Sequence, residues 1–178
     1  MKVFGKKKSL IALLLCSVML TIVYAQDATY LSDIIEAETI DWEQAAFLIL
    51  IGGELVPVGT SPRLAWDHLL ATHWFDNVPQ RDSKITVAEY CGLATKTFNY
   101  KGGLFYTLFK SNRYAFRDLA YKTIVPSYLD PRAKFSGLEA LKILEALLDE
   151  VARKEAIAAK NEAKAKAESG TDEAEVIE

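Results

Sequence analysis

Apolar residues recur at helical spacing in three blocks, and each block is entered through the same polar step. The blocks are "IDWEQAAFLIL" from Ile40, "ITVAEYCGLA" from Ile85 and "FSGLEALKIL" from Phe135. Each opens on a side chain that caps a helix (Asp41, Thr86, Ser136), with a Gln or Glu three residues later (Gln44, Glu89, Glu139). In such a capping box the first side chain accepts from the third helical N–H, and the second reaches back to the cap's own N–H. The apolar residue before each cap (Ile40, Ile85, Phe135) supplies the hydrophobic staple. The pattern predicts three capped amphipathic helices.

Two further segments fall between them. "SPRLAWDHLL" occupies residues 61–70 and "SNRYAFRDLA" residues 111–120. Ser61 reads as an N-cap with Pro62 in the first helical turn, and Ser111 as the equivalent cap. Displaced by fifty positions, Arg63 falls on Arg113, Ala65 on Ala115, Trp66 on Phe116 and Leu69 on Leu119. Gly52-Gly53 falls on Gly102-Gly103, Lys84 on Lys134 and Glu89 on Glu139. Both glycine pairs read as helix terminators, because glycine accepts the left-handed conformation that closes a helix. Pro79 in one copy, and Pro126 and Pro131 in the other, mark loops before the next cap. The expected fold is all-α: a compact helical-repeat domain of about two and a half helix-loop-helix units.

These stretches resemble the S-layer homology family. Its units pair a short helix bearing an aromatic-Ala step with a loop and a capped helix of the type I-T-R-A-E-A-A. The corresponding stretches are "RLAWDHLLATHWFDNVPQRDSKITVAEYCGLA" and "RYAFRDLAYKTIVPSYLDPRAKFSGLEALKIL", with "TIDWEQAAFLIL" matching the capped helix alone; together they cover residues 39–148. The resemblance implies a bacterial cell-envelope module that holds a cell-wall polymer in the grooves between its units. The family places an Arg after the cap residue, where it pairs with an acidic glycan. This chain has Trp42, Val87 and Gly137 there.

The two ends differ from the middle. Lys2, Lys6, Lys7 and Lys8 precede an apolar run from Leu10 to Val23 and then Val23-Tyr24-Ala25, which reads as a secretory signal peptide cleaved after Ala25. A lipoprotein would acylate Cys16, but Leu13-Leu14-Leu15 puts bulk where a small residue is required. Removing residues 1–25 takes away those four lysines and moves the formal charge from −3 to −7. An acidic mature chain disfavours nucleic acid, whose phosphates call for a basic face. Cleavage also leaves Cys91 as the one thiol, within an apolar helical pattern, so the exported protein relies on its core rather than on disulfides. No later run is long enough to span a bilayer. The expected organisation is a lead-in over residues 26–38, a helical domain over 39–149, a charged Ala/Glu/Lys helix over 150–168 and a disordered acidic tail over 169–178.

Candidate chemistry is sparse. Asp67, His68, His73, Asp76 and Asp82 cluster loosely, but His68 and His73 are five apart and face different sides of any helix. No metal-ligand spacing, nucleophile elbow or phosphate loop occurs, so no catalytic residue, metal site or cofactor is assigned and the chain reads as a non-enzyme. The stretch "FNYKGGLFYTLFKSNRYAF", residues 98–116, interleaves aromatic rings with Lys101, Lys110 and Arg113. Such rings either fill the core or stand outside with the cations to take sugars or side chains. Arg63 and Arg113 either line equivalent grooves or reach nearby loop carbonyls. The candidate binding residues are Arg63, Trp66, Tyr100, Tyr106 and Arg113, with Tyr100, Tyr106 and Arg113 expected outside the core. The expected partner is a cell-wall glycan or an envelope protein. The alternative is a periplasmic assembly protein acting through protein contacts that include the C-terminal helix.

Overall fold

A computed structural model describes residues 29–75 and 77–172. The expected signal peptide, Asp76 and residues 173–178 lie outside the described residues. The described chain is all-helical: α1 (residues 29–36), α2 (Trp42–Gly52), α3 (Pro62–Ala71), α4 (Val87–Thr97), α5 (Leu104–Phe109), α6 (Asn112–Tyr121) and α7 (Gly137–Asp172). The capped helices α2, α4 and the first turns of α7 form the interior. Helix α3 packs on α2, α6 packs on α4, and α2 touches both α4 and α7.

Burial follows from composition. From Ala45 to Leu50 every residue of α2 is buried, as expected for a helix that is apolar all round. The outer helices bury one stripe each, Ala65, Trp66 and Leu69 on α3 and Ala115 and Leu119 on α6. The start of α7 buries Ala140, Ile143, Leu144 and Leu147, a single helical face.

All three capping boxes form. The carboxylate of Asp41 accepts from the Gln44 N–H at 2.9 Å, and the Gln44 amide oxygen accepts from the Asp41 N–H at 3.0 Å. Thr86 with Glu89, and Ser136 with Glu139, make the same reciprocal pairs. The other free N–H groups at these helix starts are taken up by neighbouring loops. Trp42 donates to the Ser83 carbonyl and Glu43 to that of Arg81; Val87 donates to Ala133 and Ala88 to Pro131. The acceptors in the second pair lie fifty residues beyond those in the first. Lys84 Nζ donates to the Thr39 carbonyl, and Lys134 Nζ donates to that of Lys84. With its first donors satisfied in this way, neither α2 nor α4 offers an anion site at its N-terminus.

The segments before the caps meet around a common centre. Ile85 N–H donates to the Ile40 carbonyl at 3.3 Å, and Ile40 N–H donates to that of Phe135 at 3.1 Å. Gly137 N–H reaches the Ala37 carbonyl at 3.0 Å. All three staple side chains are buried there.

Three expectations change. The glycine pairs are not left-handed terminators: Gly53 has φ −91°, and the left-handed residues after α2, α3, α4 and α6 are Glu54, His73, Asn99 and Thr123. Gly53 is needed for close approach, because a Cβ there would stand 2.3 Å from Thr97 Cγ2. Gly103 caps the start of α5 instead of ending a helix. The lead-in contains helix α1, whose Ile34 is fully buried. Finally, α7 continues past Ser169 to Asp172, into the stretch expected to be disordered, because the Ala/Glu/Lys composition before it favours helix.

Candidate functional site

The five candidate residues are not brought together. Trp66 is only 6% exposed, because it lies on the α3 face that packs on α2, so it is core and not a contact residue. Tyr100 is 7% exposed, contrary to the expectation that it stands outside. The chain leaves α4 through the left-handed Asn99, which turns the Tyr100 ring under α7. Lys154 Nζ of α7 sits 3.7 Å from the centre of that ring. Burial pushes the Tyr100 phenol above its ordinary value. Tyr106 is half-buried and its hydroxyl donates to Thr95 Oγ1 at 2.8 Å. Arg63 on α3 and Arg113 on α6 are exposed, and neither bonds to a loop carbonyl or a carboxylate among the described residues.

A groove forms where the aromatic stretch folds back on α4. It encloses about 490 Å³ between Trp74, Thr95, Asn99, Lys101, Tyr106 and Lys110, with Tyr100 and Gly102 also in its lining. Lys96 holds one wall: its Nζ donates to the Trp74 carbonyl at 2.7 Å and lies 5.0 Å from the Phe75 ring centre. The opposite wall is α5. Its first turn is fixed by Asp118 of α6, which accepts from the Gly103 N–H at 2.6 Å. Gly102 permits this closeness, since a Cβ there would lie 2.5 Å from Asp118 Oδ2 and 2.7 Å from Tyr106 Cδ1. Lys101 and Lys110 stand exposed at the rim and form no ion pair among the described residues. An aromatic wall with cations at its edge suits a ring-bearing ligand that carries negative charge.

Lys101, Lys110 and Tyr106 belong to the stretch whose mixture of rings and cations stands out in the sequence. Trp74 carries no such signal, because it reaches the groove only through the long-range Lys96 contact. A second cavity of about 310 Å³, lined by Leu31, Phe47, Leu48, Ile51, Val58 and Leu144 among others, is apolar and offers no reactive group. Cys91 is fully buried, and burial raises its thiol far above the ordinary range, so it is no nucleophile at neutral pH. Of the loose acidic and histidine cluster, Asp67 and His68 line a shallow surface hollow beside Leu64, and Asp76 lies outside the described residues. Among the described residues no three His, Cys, Asp or Glu side chains are placed to hold a metal ion. No described helix is long and apolar enough to cross a membrane.

The chain matches no family model, no curated protein and no solved structure. The three positions where the S-layer homology pattern carries Arg can nevertheless be located. Trp42 and Val87 are buried, and Gly137 lies directly beneath the Ile34 carbonyl of α1. None of the three has room for a cationic side chain directed at a ligand.

Proposed function

We propose that this chain is a non-enzymatic, exported cell-envelope module that holds an anionic cell-wall polymer. The groove between α4 and α5 is the binding site, in place of the positions where the S-layer homology pattern carries Arg. The supporting observation is the convergence of Lys101 and Lys110 on a cleft walled by Trp74 and Tyr106. The rings give a sugar apolar faces to stack on, and the two ammonium groups pair with carboxylate or phosphate substituents. The secretory leader read at residues 1–25 supplies the compartment.

Co-sedimentation with purified anionic wall polymer tests this reading. Lys101→Ala with Lys110→Ala weakens retention, and added salt weakens it in the unmodified chain. The pair Arg63→Ala with Arg113→Ala leaves it unchanged, since neither side chain lines the groove. Equal retention of the groove variant and the unmodified chain would discard the site.

A second reading is favoured by the far part of α7, where every side chain from Glu155 to Ala163 is exposed on a helix that continues well beyond the core. That arm suits contact with an envelope protein partner. Deleting residues 156–178 abolishes such a complex while leaving polymer retention intact.

A further inference from the structure

Helix α5 is the one helix of the described chain that buries none of its residues in the core, although nearly all are apolar. Leu104 is 79% and Leu108 70% exposed, and Phe105 and Phe109 are more than half exposed. At 100° per residue these four side chains cover an arc of about 140°. Tyr106, Thr107 and Lys110 occupy the opposite side, which lines the groove. Phe105 and Phe109 stack on Tyr114 of α6 with ring centres 5.9 and 5.2 Å apart, and the Arg117 guanidinium lies 6.0 Å from the Tyr114 ring. The outcome is a fixed apolar ridge supported from behind by an aromatic cluster.

The charges around the ridge indicate what covers it. Arg113 and Arg117 stand on the helix behind it, and Lys101 and Lys110 precede and follow α5 at the groove rim, all exposed and none in an ion pair among the described residues. From Phe98 to Tyr121 the one carboxylate is Asp118, which is engaged by the Gly103 N–H. This basic rim stands on a chain whose overall charge is −3. The segment fifty residues earlier, "GGELVPVGTS", has the same length but carries Glu54 where Leu104 stands, and no cation at all. A second copy meeting this face through a two-fold axis would bring Arg113 and Arg117 against their own copies. A six-residue helix is about 9 Å long, far too short to span a bilayer. Exposed Leu and Phe flanked by Lys and Arg instead match a segment that lies in the headgroup region of an anionic lipid surface.

We infer that α5 docks the protein onto an anionic phospholipid surface, inserting Leu104, Phe105, Leu108 and Phe109 while Arg113 and Arg117 of α6 meet the headgroups. The contact uses the face of α5 turned away from the polymer groove, so the two can be tested separately.

The test is vesicle flotation of the chain from Gln26, which contains the whole described fold and lacks the apolar run at residues 10–23. The expected result is flotation with phosphatidylglycerol vesicles, weakened by salt and at least about tenfold weaker with phosphatidylcholine. Leu104→Ser with Leu108→Ser reduces flotation at least about tenfold and leaves polymer co-sedimentation unchanged. Arg113→Glu with Arg117→Glu also reduces flotation, and a thermal unfolding curve like that of the unmodified chain shows that each variant is folded. Failure of the unmodified chain to float with anionic vesicles overturns the inference, as does equal, salt-independent flotation with neutral ones. A dimer in sedimentation velocity that Leu104→Ser with Leu108→Ser converts to monomer would assign the ridge to a second copy instead.

Discussion

The hydroxyl of Tyr90 donates to the carbonyl of Ala140 at 2.9 Å, joining α4 to α7 through a fully buried side chain. The ring meets Phe135 edge-on with centres 5.2 Å apart, and burial drives its phenol far above the ordinary value. The bond links residues fifty positions apart. Tyr90→Phe keeps the ring and removes only the hydroxyl, so the expected cost is about 1 kcal/mol. Tyr90→Ala also opens a cavity and costs about 3–5 kcal/mol. Urea denaturation followed by far-UV circular dichroism separates the two values.

Gly137→Ala is expected to release α1. A Cβ at Gly137 would lie 1.6 Å from the Ile34 carbonyl oxygen, a backbone atom that moves only if the helix does. Expulsion of α1 exposes the buried Ile34 side chain, a loss of about 2 kcal/mol. Gly52→Ala is the control, because its Cβ would meet only the Leu144 side chain at 3.2 Å. Amide exchange of residues 30–37 should accelerate in the first variant and not in the second.

Thr123 follows α6 with φ 60°, a conformation that β-branched residues rarely adopt. Replacing it with Gly relieves strain of about 1 kcal/mol, partly offset by the greater freedom of glycine in the unfolded chain. A small rise in the melting temperature is the expected reading. A fall would mean that Thr123 makes compensating contacts.

Acid should destabilise the fold through two glutamates. The Ser136 N–H holds the Glu139 carboxyl below its ordinary value, assisted by the Ser136 and Tyr128 hydroxyls. Arg153 does the same for Glu150, with Lys122 and Lys154 at about 4 Å adding to it. Both groups bind a proton less readily when folded than when unfolded, so stability falls as protons are taken up. The contribution is complete above about pH 4.5, the ordinary glutamate value, and fades as pH drops through the lower folded values. Glu139→Gln keeps the box, as Gln44 does in α2, and should flatten the acid limb of a stability-pH profile.

The helix starts are legible in the sequence because a capping box is local: Asp41 and Gln44, or Thr86 and Glu89, need only each other. The burial of Trp66 and Tyr100 is not, since it depends on which face α3 turns to α2 and on where α7 crosses the end of α4. Gly102-Gly103 misleads for a similar reason. Its glycines are required by Asp118, fifteen or more residues further on, and not by the helix before them. Helix α5 escapes notice because six mostly apolar residues show no period. The groove becomes visible only once Lys96 has brought Trp74 to face Tyr106.

The bonds from Ile85 to Ile40, from Ile40 to Phe135 and from Gly137 to Ala37 have a consequence for how the molecule comes apart. A linear array of helical units frays from its termini, because each unit touches only its neighbours. Here the first capped segment is gripped by the last, nearly a hundred residues away in the chain, so the centre formed by the capped helices has no free end from which to unravel. The domain should therefore melt in one all-or-none transition, and a nascent chain cannot complete its centre until Phe135 has been synthesised.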